Sequence, residues 1–311
     1  MQTRVLGNTG LTVSVLGFGC APLQSRVGRA PSLRALRCAL DAGISFFDTA
    51  NTYGQGQSES TLGEVIRSCR ERVVLCTKAG QTLSPLVGRL VPLKRIVGPL
   101  IRPFRRVRQA AGHIIAAQTK TSQYSDKALT ASVEGSLGRL GTDVIDLLLL
   151  HSPSVEVIRQ GDAFLTLGRL QRAGKIRAFG VSCHSYEEAH AVLECTESGV
   201  SALQISFNVL DQEAAALLEP ARKLGIGIIA RSPFAQGRIW TDPSASSRLH
   251  GLTDTGLTLG QAAIRWVLSH PQVVVSLPSM TTPAHIAENA AGASPAKGPI
   301  ELQVSKPALF R

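Results

Sequence analysis

Four side chains, far apart in the chain, are of the types that manage a proton together: Asp48, Tyr53, Lys78 and His151. Three stand at the end of a short apolar run. Asp48 closes Phe46-Phe47-Asp48, Lys78 follows Val73–Cys76 and Thr77, and His151 follows Leu147–Leu150. Tyr53 comes five residues after Asp48, in Asn51-Thr52-Tyr53-Gly54. A phenol titrates near ~10, so as an acid at neutral pH it needs help. A neighbouring ammonium stabilises the phenolate, and a carboxylate holds that ammonium in place. A neutral imidazole donates a hydrogen bond to the same carbonyl oxygen and orients it. The set suits protonation of a carbonyl oxygen while hydride reaches the carbon. No side chain delivers hydride, so a nicotinamide cofactor is implied. Singly, each residue has a plainer reading: Asp48 as a helix cap or ion-pair partner, Tyr53 as a loop-packing aromatic, His151 as a satisfied core histidine. Lysine is seldom buried unpaired, so Lys78 is unusual even alone. Their joint placement at successive strand ends carries the argument.

The elements that must position them alternate along the chain. Short β-branched or apolar runs predict strands near Leu16–Gly19, Ser45–Phe47, Val73–Cys76, Val144–Leu149, Ile176–Phe179, Ala202–Ile205, Gly227–Ala230 and Val273–Ser276. Helical periodicity falls between them, over Pro31–Ala42, Ser58–Cys69, Asp126–Leu140, Ser154–Ala173, Tyr186–Ser198, Glu213–Leu224, Thr258–Ser269 and Pro283–Ala290. Gly43, Gly141, Gly174, Gly199 and Gly225 stand where helices need a left-handed end. Ahead of these units, Thr3–Leu6 and Leu11–Leu16 are joined by Gly7-Asn8-Thr9-Gly10, which reads as a hairpin. Eight strand–helix units predict a closed (β/α)8 TIM barrel rather than an open sheet, as one domain over residues 1–311. In that fold, residues past the strand ends converge on one mouth. The strand ends add Ser182, Gln204 and Arg231-Ser232-Pro233 to the four above. A doubly wound fold lacks support, since no G-x-G-x-x-G follows the first strand.

Composition sets the bounds. The chain has 311 residues, 44% hydrophobic and 18% charged, which is ordinary for a globular protein. Its six cysteines are scattered with no C-x-x-C pair, arguing against a disulfide framework or a zinc site. With no apolar run long enough for a bilayer and no signal-peptide core, the expectation is a cytoplasmic protein without a metal. The formal net charge is +11, yet ten Lys/Arg and no acid lie between Glu71 and Asp126. The body is therefore near neutral, and nucleic-acid binding is a poor reading.

The chain resembles the aldo-keto reductases over nearly its whole length. The resemblance rests on Leu6–Ser14, Phe46–Ala50, Tyr53-Gly54, Leu137–Asp143, Leu149-Leu150-His151, Gly174–Ser182 and Glu288-Asn289. It implies an NADPH-preferring oxidoreductase that reduces an aldehyde, ketone or sugar-like carbonyl, with NADH use open. Tyr53 would be the proton donor, Lys78 and Asp48 would tune it, and His151 would orient the carbonyl. Ser182, Cys183 and Gln204 would meet the nicotinamide carboxamide, and Arg231 its ring. Ser232, Phe234 and Gln236 would approach the pyrophosphate. Ser279, His285, Glu288 and Asn289, in the region from Pro278 onward, would hold the adenosine end. A different class stays open: a cofactor-binding sensor or scaffold subunit with little turnover.

Departures from the family pattern sharpen these expectations. Cys183 stands where an Asn is usual, which predicts weaker nicotinamide anchoring or a compensating donor from His184. Arg231 replaces a stacking aromatic; its guanidinium plane stacks too, but repels an oxidised, positively charged ring. Ser279 and His285 leave little basic charge for a 2′-phosphate, and Ser152 implies a wide pocket. The tail from Ser294 to Arg311 lacks a helical pattern and would close over the mouth. Residues 81–125 form a long insertion after the third barrel strand, with prolines at 85, 92 and 99 and arginines among aliphatics. Three readings stand: a lid on the mouth, a peripheral membrane or acidic-partner contact through residues 85–108, or disorder.

Overall fold

The computed structural model describes residues 1–83 and 120–294. The readings placed on residues 85–108, and on the tail beyond Ser294, lie outside the described residues. The chain opens with the expected hairpin: β1 (Thr3–Val5) pairs antiparallel with β2 (Thr12–Ser14). It plugs one end of the barrel. Leu6, Leu11 and Val13 join Phe46, Val74, Leu147, Leu149 and Val275 in one buried cluster, and the Asn8 N–H donates to the Gly225 carbonyl at 2.8 Å. Gly7 is left-handed at φ 50°, and a Cβ there would lie 2.5 Å from the Gly225 oxygen. Only glycine fits that close approach.

The barrel strands follow. They are β3 (Gly17–Gly19), β4 (Phe46–Asp48), β5 (Val74–Ala79), β8 (Ile145–His151), β9 (Ile176–Ser182), β10 (Ala202–Ser206), β11 (Gly227–Arg231) and β12 (Val273–Leu277). Each runs parallel to the next in chain order, and a parallel bridge between Leu16 and Ser276 joins first to last. The Ser276 N–H donates to the Val15 carbonyl at 2.8 Å, which nearly closes the ring. The strands are largely apolar because both faces are covered, by side chains within and helices without, and Asp48, Lys78, Asp146 and Gln204 are among the buried exceptions. All seven residues of β8 are buried.

Helices α1 (Arg29–Asp41), α2 (Gln57–Ile66) and α3 (Asp126–Leu140) follow the first three barrel strands. The expected helix over Ser154–Ala173 is two: α4 (Val155–Gln160) and α5 (Asp162–Arg172). They break at Gly161, left-handed at φ 79°, a residue that both ends one helix and caps the next. The Ser154 hydroxyl caps α4 by accepting from the Val157 N–H. Then come α6 (Tyr186–Glu194), α7 (Ala215–Lys223), α8 (Pro243–Thr253), α9 (Leu259–Leu268) and α10 (Pro283–Gly292). Helix α8 was not expected from the pattern; Asp242 caps it and proline stands in its first turn. The insertion leaves and re-enters the barrel as a two-stranded antiparallel ribbon, β6 (Gln81–Leu83) with β7 (Lys120–Ser122).

Candidate active site

The mouth assembles from strand ends as the sequence predicts, with small shifts in place. Asp48, His151, Ser182 and Arg231 are the last residues of β4, β8, β9 and β11. Lys78 and Gln204 stand inside β5 and β10 rather than past their ends. Asp48 and Lys78 are both buried, at 3% and 1% exposure, so each needs the other. The Lys78 ammonium donates to both Asp48 carboxylate oxygens at 2.6 Å and to the Thr49 carbonyl at 3.0 Å. Asp48 Oδ1 also accepts from Gln204 Nε2 at 2.8 Å, and Gln204 Oε1 accepts from the Ser182 hydroxyl at 2.9 Å. A single chain of hydrogen bonds thus links the two residues expected at the carboxamide to the carboxylate that holds the ammonium.

Tyr53 is carried by the turn between β4 and α2. That turn needs left-handed backbone at Gly54, Gln55 and Gly56. Non-glycine residues held there store strain, which is common around functional groups. The Lys78 nitrogen lies 5.2 Å from the centre of the Tyr53 ring, and the His151 ring meets that ring edge-on, 6.1 Å between centres at 88°. Burial pushes the Tyr53 phenol above its ordinary range; the Lys78 ammonium pulls part of that back, and the Asp48 carboxylate adds to the rise. The net direction is upward, so the phenol holds its proton at neutral pH. Burial by itself pulls the Lys78 ammonium down, but Asp48 and Tyr53 outweigh it, and the net shift is upward. The four side chains therefore meet, with the proton on the phenol and the charge on the lysine.

A cavity of about 820 Å³ opens beside them. At one end stand Asp48, Tyr53 and Gln204, then Arg231, Ser232, Phe234 and Gln236, and at the other Ser279, His285, Glu288 and Asn289. Lys78, His151, Ser182 and Cys183 do not line it. The loop after β11 is held in strained backbone, with left-handed Ser232, Ala235 and Gln236. Asn289 is 4% exposed, and its Nδ2 has no hydrogen-bond partner. A buried donor without an acceptor is costly unless a ligand supplies one. The volume, the polar far end and this donor fit an extended dinucleotide.

Cys183 is 2% exposed, and burial pushes its thiol up, with Glu188 adding to the rise. It is a small, inert buried filler. Ellman's reagent is expected to leave Cys183 unmodified in the folded protein and to reach it only after denaturation; mass spectrometry showing rapid native labelling there would contradict this. His184 supplies no compensating donor, because it is exposed, off the cavity wall, with its backbone N–H on the Glu188 carboxylate at 2.6 Å. Arg231 lines the cavity, and its Nη2 also donates to the Cys183 carbonyl at 3.0 Å. The sequence reading missed three residues. Arg26 and Trp240 line the cavity, and the Tyr124 hydroxyl donates to the His151 carbonyl at 2.8 Å. Reading only the residue just past each strand omits Arg26, which lies seven residues beyond β3.

Fold and site together define a (β/α)8 barrel with a carboxylate–ammonium–phenol–imidazole cluster at the mouth. The aldo/keto reductase family pattern matches residues 15–295, and the chain belongs to that family. It is 29% identical over 321 residues to pyridoxal 4-dehydrogenase of Microbacterium luteolum, covering 93% of this chain and 92% of that one. It is 30% identical over 311 residues to 6-dehydroglucose reductase of Novosphingobium aromaticivorans, covering 92% and 88%. Among solved structures, the holo form of an aldo-keto reductase from Bacillus halodurans superposes with a TM-score of 0.74 at 21% identity, over 95% of this chain and 92% of that one. An aldo/keto reductase from Klebsiella pneumoniae, solved in complex with NADP and acetate, gives a TM-score of 0.72 at 24% identity, over 95% and 91%. No helix among the described residues is long and apolar enough to cross a membrane.

Proposed function

We propose that the protein reduces an aldehyde, ketone or sugar-like carbonyl to an alcohol at the expense of NADPH, with Tyr53 as general acid. The observation that carries this reading is the buried Asp48–Lys78 pair set against a phenol whose proton is retained. A nicotinamide dinucleotide, when bound, supplies the hydride that no side chain carries. Gln204 and Ser182 would hold the carboxamide end, Ser232 and Gln236 the diphosphate, and Ser279, His285 and Asn289 the adenosine. The chain's own work is on oxygen. With Tyr53 on the cavity wall and the His151 ring edge-on to it, a substrate carbonyl would accept from both. As charge develops on that oxygen, the phenol releases its proton to it. Lys78 stabilises the phenolate left behind, and Asp48 keeps the ammonium from moving. Support for a hydroxylated substrate comes from the relatives, whose names place them on pyridoxal and on a dehydroglucose.

The test is a screen of NADPH and NADH oxidation over small aldehydes, ketosugars and polyketide-like ketones. Turnover with at least one class is expected, and it should fall steeply in Tyr53→Phe. Cofactor binding without turnover on any of them would favour the sensor reading instead.

A further inference from the structure

The cavity that runs from the Tyr53 phenol to α10 carries two guanidiniums among the described residues that line it. Arg231 keeps its charge, with one N–H group turned to the Cys183 carbonyl at 3.0 Å. Lys78 lies behind the wall and is spent on Asp48. The α10 end presents the Glu288 carboxylate beside His285. A dinucleotide brings two negative charges on its diphosphate, and a 2′-phosphate adds more. The second guanidinium on the wall makes no such internal bond among the described residues. Arg26 lies in the loop between β3 and α1, is exposed, and has no side-chain hydrogen bond or ion pair among the described residues. Arg29, three residues on, is instead paired with Glu64 at 2.5 Å.

The loop that bears Arg26 is not slack. The Cys20 N–H donates to the Asp48 carbonyl at 2.8 Å, and the Cys20 carbonyl accepts from the Ser58 hydroxyl at 3.1 Å. Gln24 Nε2 donates to the Thr61 hydroxyl at 2.9 Å. The Pro22 carbonyl gathers the N–H groups of Ser25, Arg26 and Val27 at 3.3, 3.0 and 3.1 Å. Gln24 is left-handed at φ 59°, a conformation that persists only where surrounding bonds impose it. The same loop leads into α1, which packs on both α2 and α10, so the arm is held between the two helices that flank the cavity mouth. Rigid mounting beside a cavity, with no internal partner, is what an anion-binding side chain needs. A guanidinium keeps its charge at any working pH and takes two phosphate oxygens at once.

The geometry points to Arg26 as a phosphate-binding arm of the cofactor site, an assignment that rests on the nicotinamide reading above. Its test is the dissociation constant of NADPH and of NADH, read by protein fluorescence quenching, for the wild type, Arg26→Gln and Arg26→Lys. Arg26→Gln is expected to weaken binding by about 10-fold or more, the size of one charge-assisted hydrogen bond. Arg26→Lys should restore part of it, and added salt should narrow the gap. Equal losses for both cofactors place the arm on the diphosphate; a loss confined to NADPH places it on the 2′-phosphate. Unchanged constants for both, in a protein whose wild type binds them, overturn the arm and leave the proposed function standing. A wild type that binds neither cofactor overturns the proposed function itself.

Discussion

Replacement of Tyr53 by Phe is expected to lower kcat for carbonyl reduction by about 10²- to 10⁴-fold, the span of a positioned general acid. The change removes one oxygen and keeps the ring that lies edge-on to His151. Cofactor affinity and the unfolding midpoint should therefore stay near those of the wild type. Steady-state turnover, fluorescence titration and thermal unfolding check the three parts, and a Phe variant that turns over normally would remove the phenol from the reaction. The pH dependence follows from the direction of the shift. Burial raises the phenol above its ordinary value of 10.0, so the proton-bearing form dominates through the neutral range. Reduction should thus be insensitive to this group below about pH 10 and fall above it. Alcohol oxidation needs the deprotonated form and should change in the opposite sense, rising with pH.

Lys78→Met is expected to cost both stability and activity. It leaves the Asp48 carboxylate buried, with Gln204 as its remaining strong donor. Removing one partner of a buried pair costs about 3–5 kcal/mol, because the other charge is left uncompensated. The double variant Asp48→Asn with Lys78→Met removes both charges and should recover much of that loss in chemical denaturation. It should not recover turnover, since the ammonium that restrains the rise of the Tyr53 pKa is gone in both variants. Equal denaturation midpoints for wild type and Lys78→Met would contradict the buried-pair account.

The barrel strands were legible because a strand covered on both faces must be apolar along its length, and such runs stand out between helical stretches. Asp48, Lys78 and His151 were legible for the same reason: each breaks an apolar run with a group that is costly to bury. Helix α8 and the break at Gly161 were not, since a weakly amphipathic stretch over Pro243–Thr253 and one glycine among helix formers leave little periodic signal. The pairing of Gln81–Leu83 with Lys120–Ser122 joins segments nearly forty residues apart, and nothing local in either announces the other. Arg26 was overlooked for a comparable reason. Its place on the cavity wall depends on how the loop after β3 is pinned to α2 and β4, not on its spacing from the strand.

Sequence alone indicated which residue types stand at the strand ends, because strand period and strand ends are local properties of the chain. Tertiary structure decided what those residues do once there. It set that the Lys78 ammonium holds both Asp48 oxygens, that Gln204 bridges Ser182 to Asp48, that Arg231 is tied to the Cys183 carbonyl, and that burial raises the Tyr53 phenol. Desolvation and Coulomb interactions sum over groups brought together from every strand, so no short stretch of the chain encodes them.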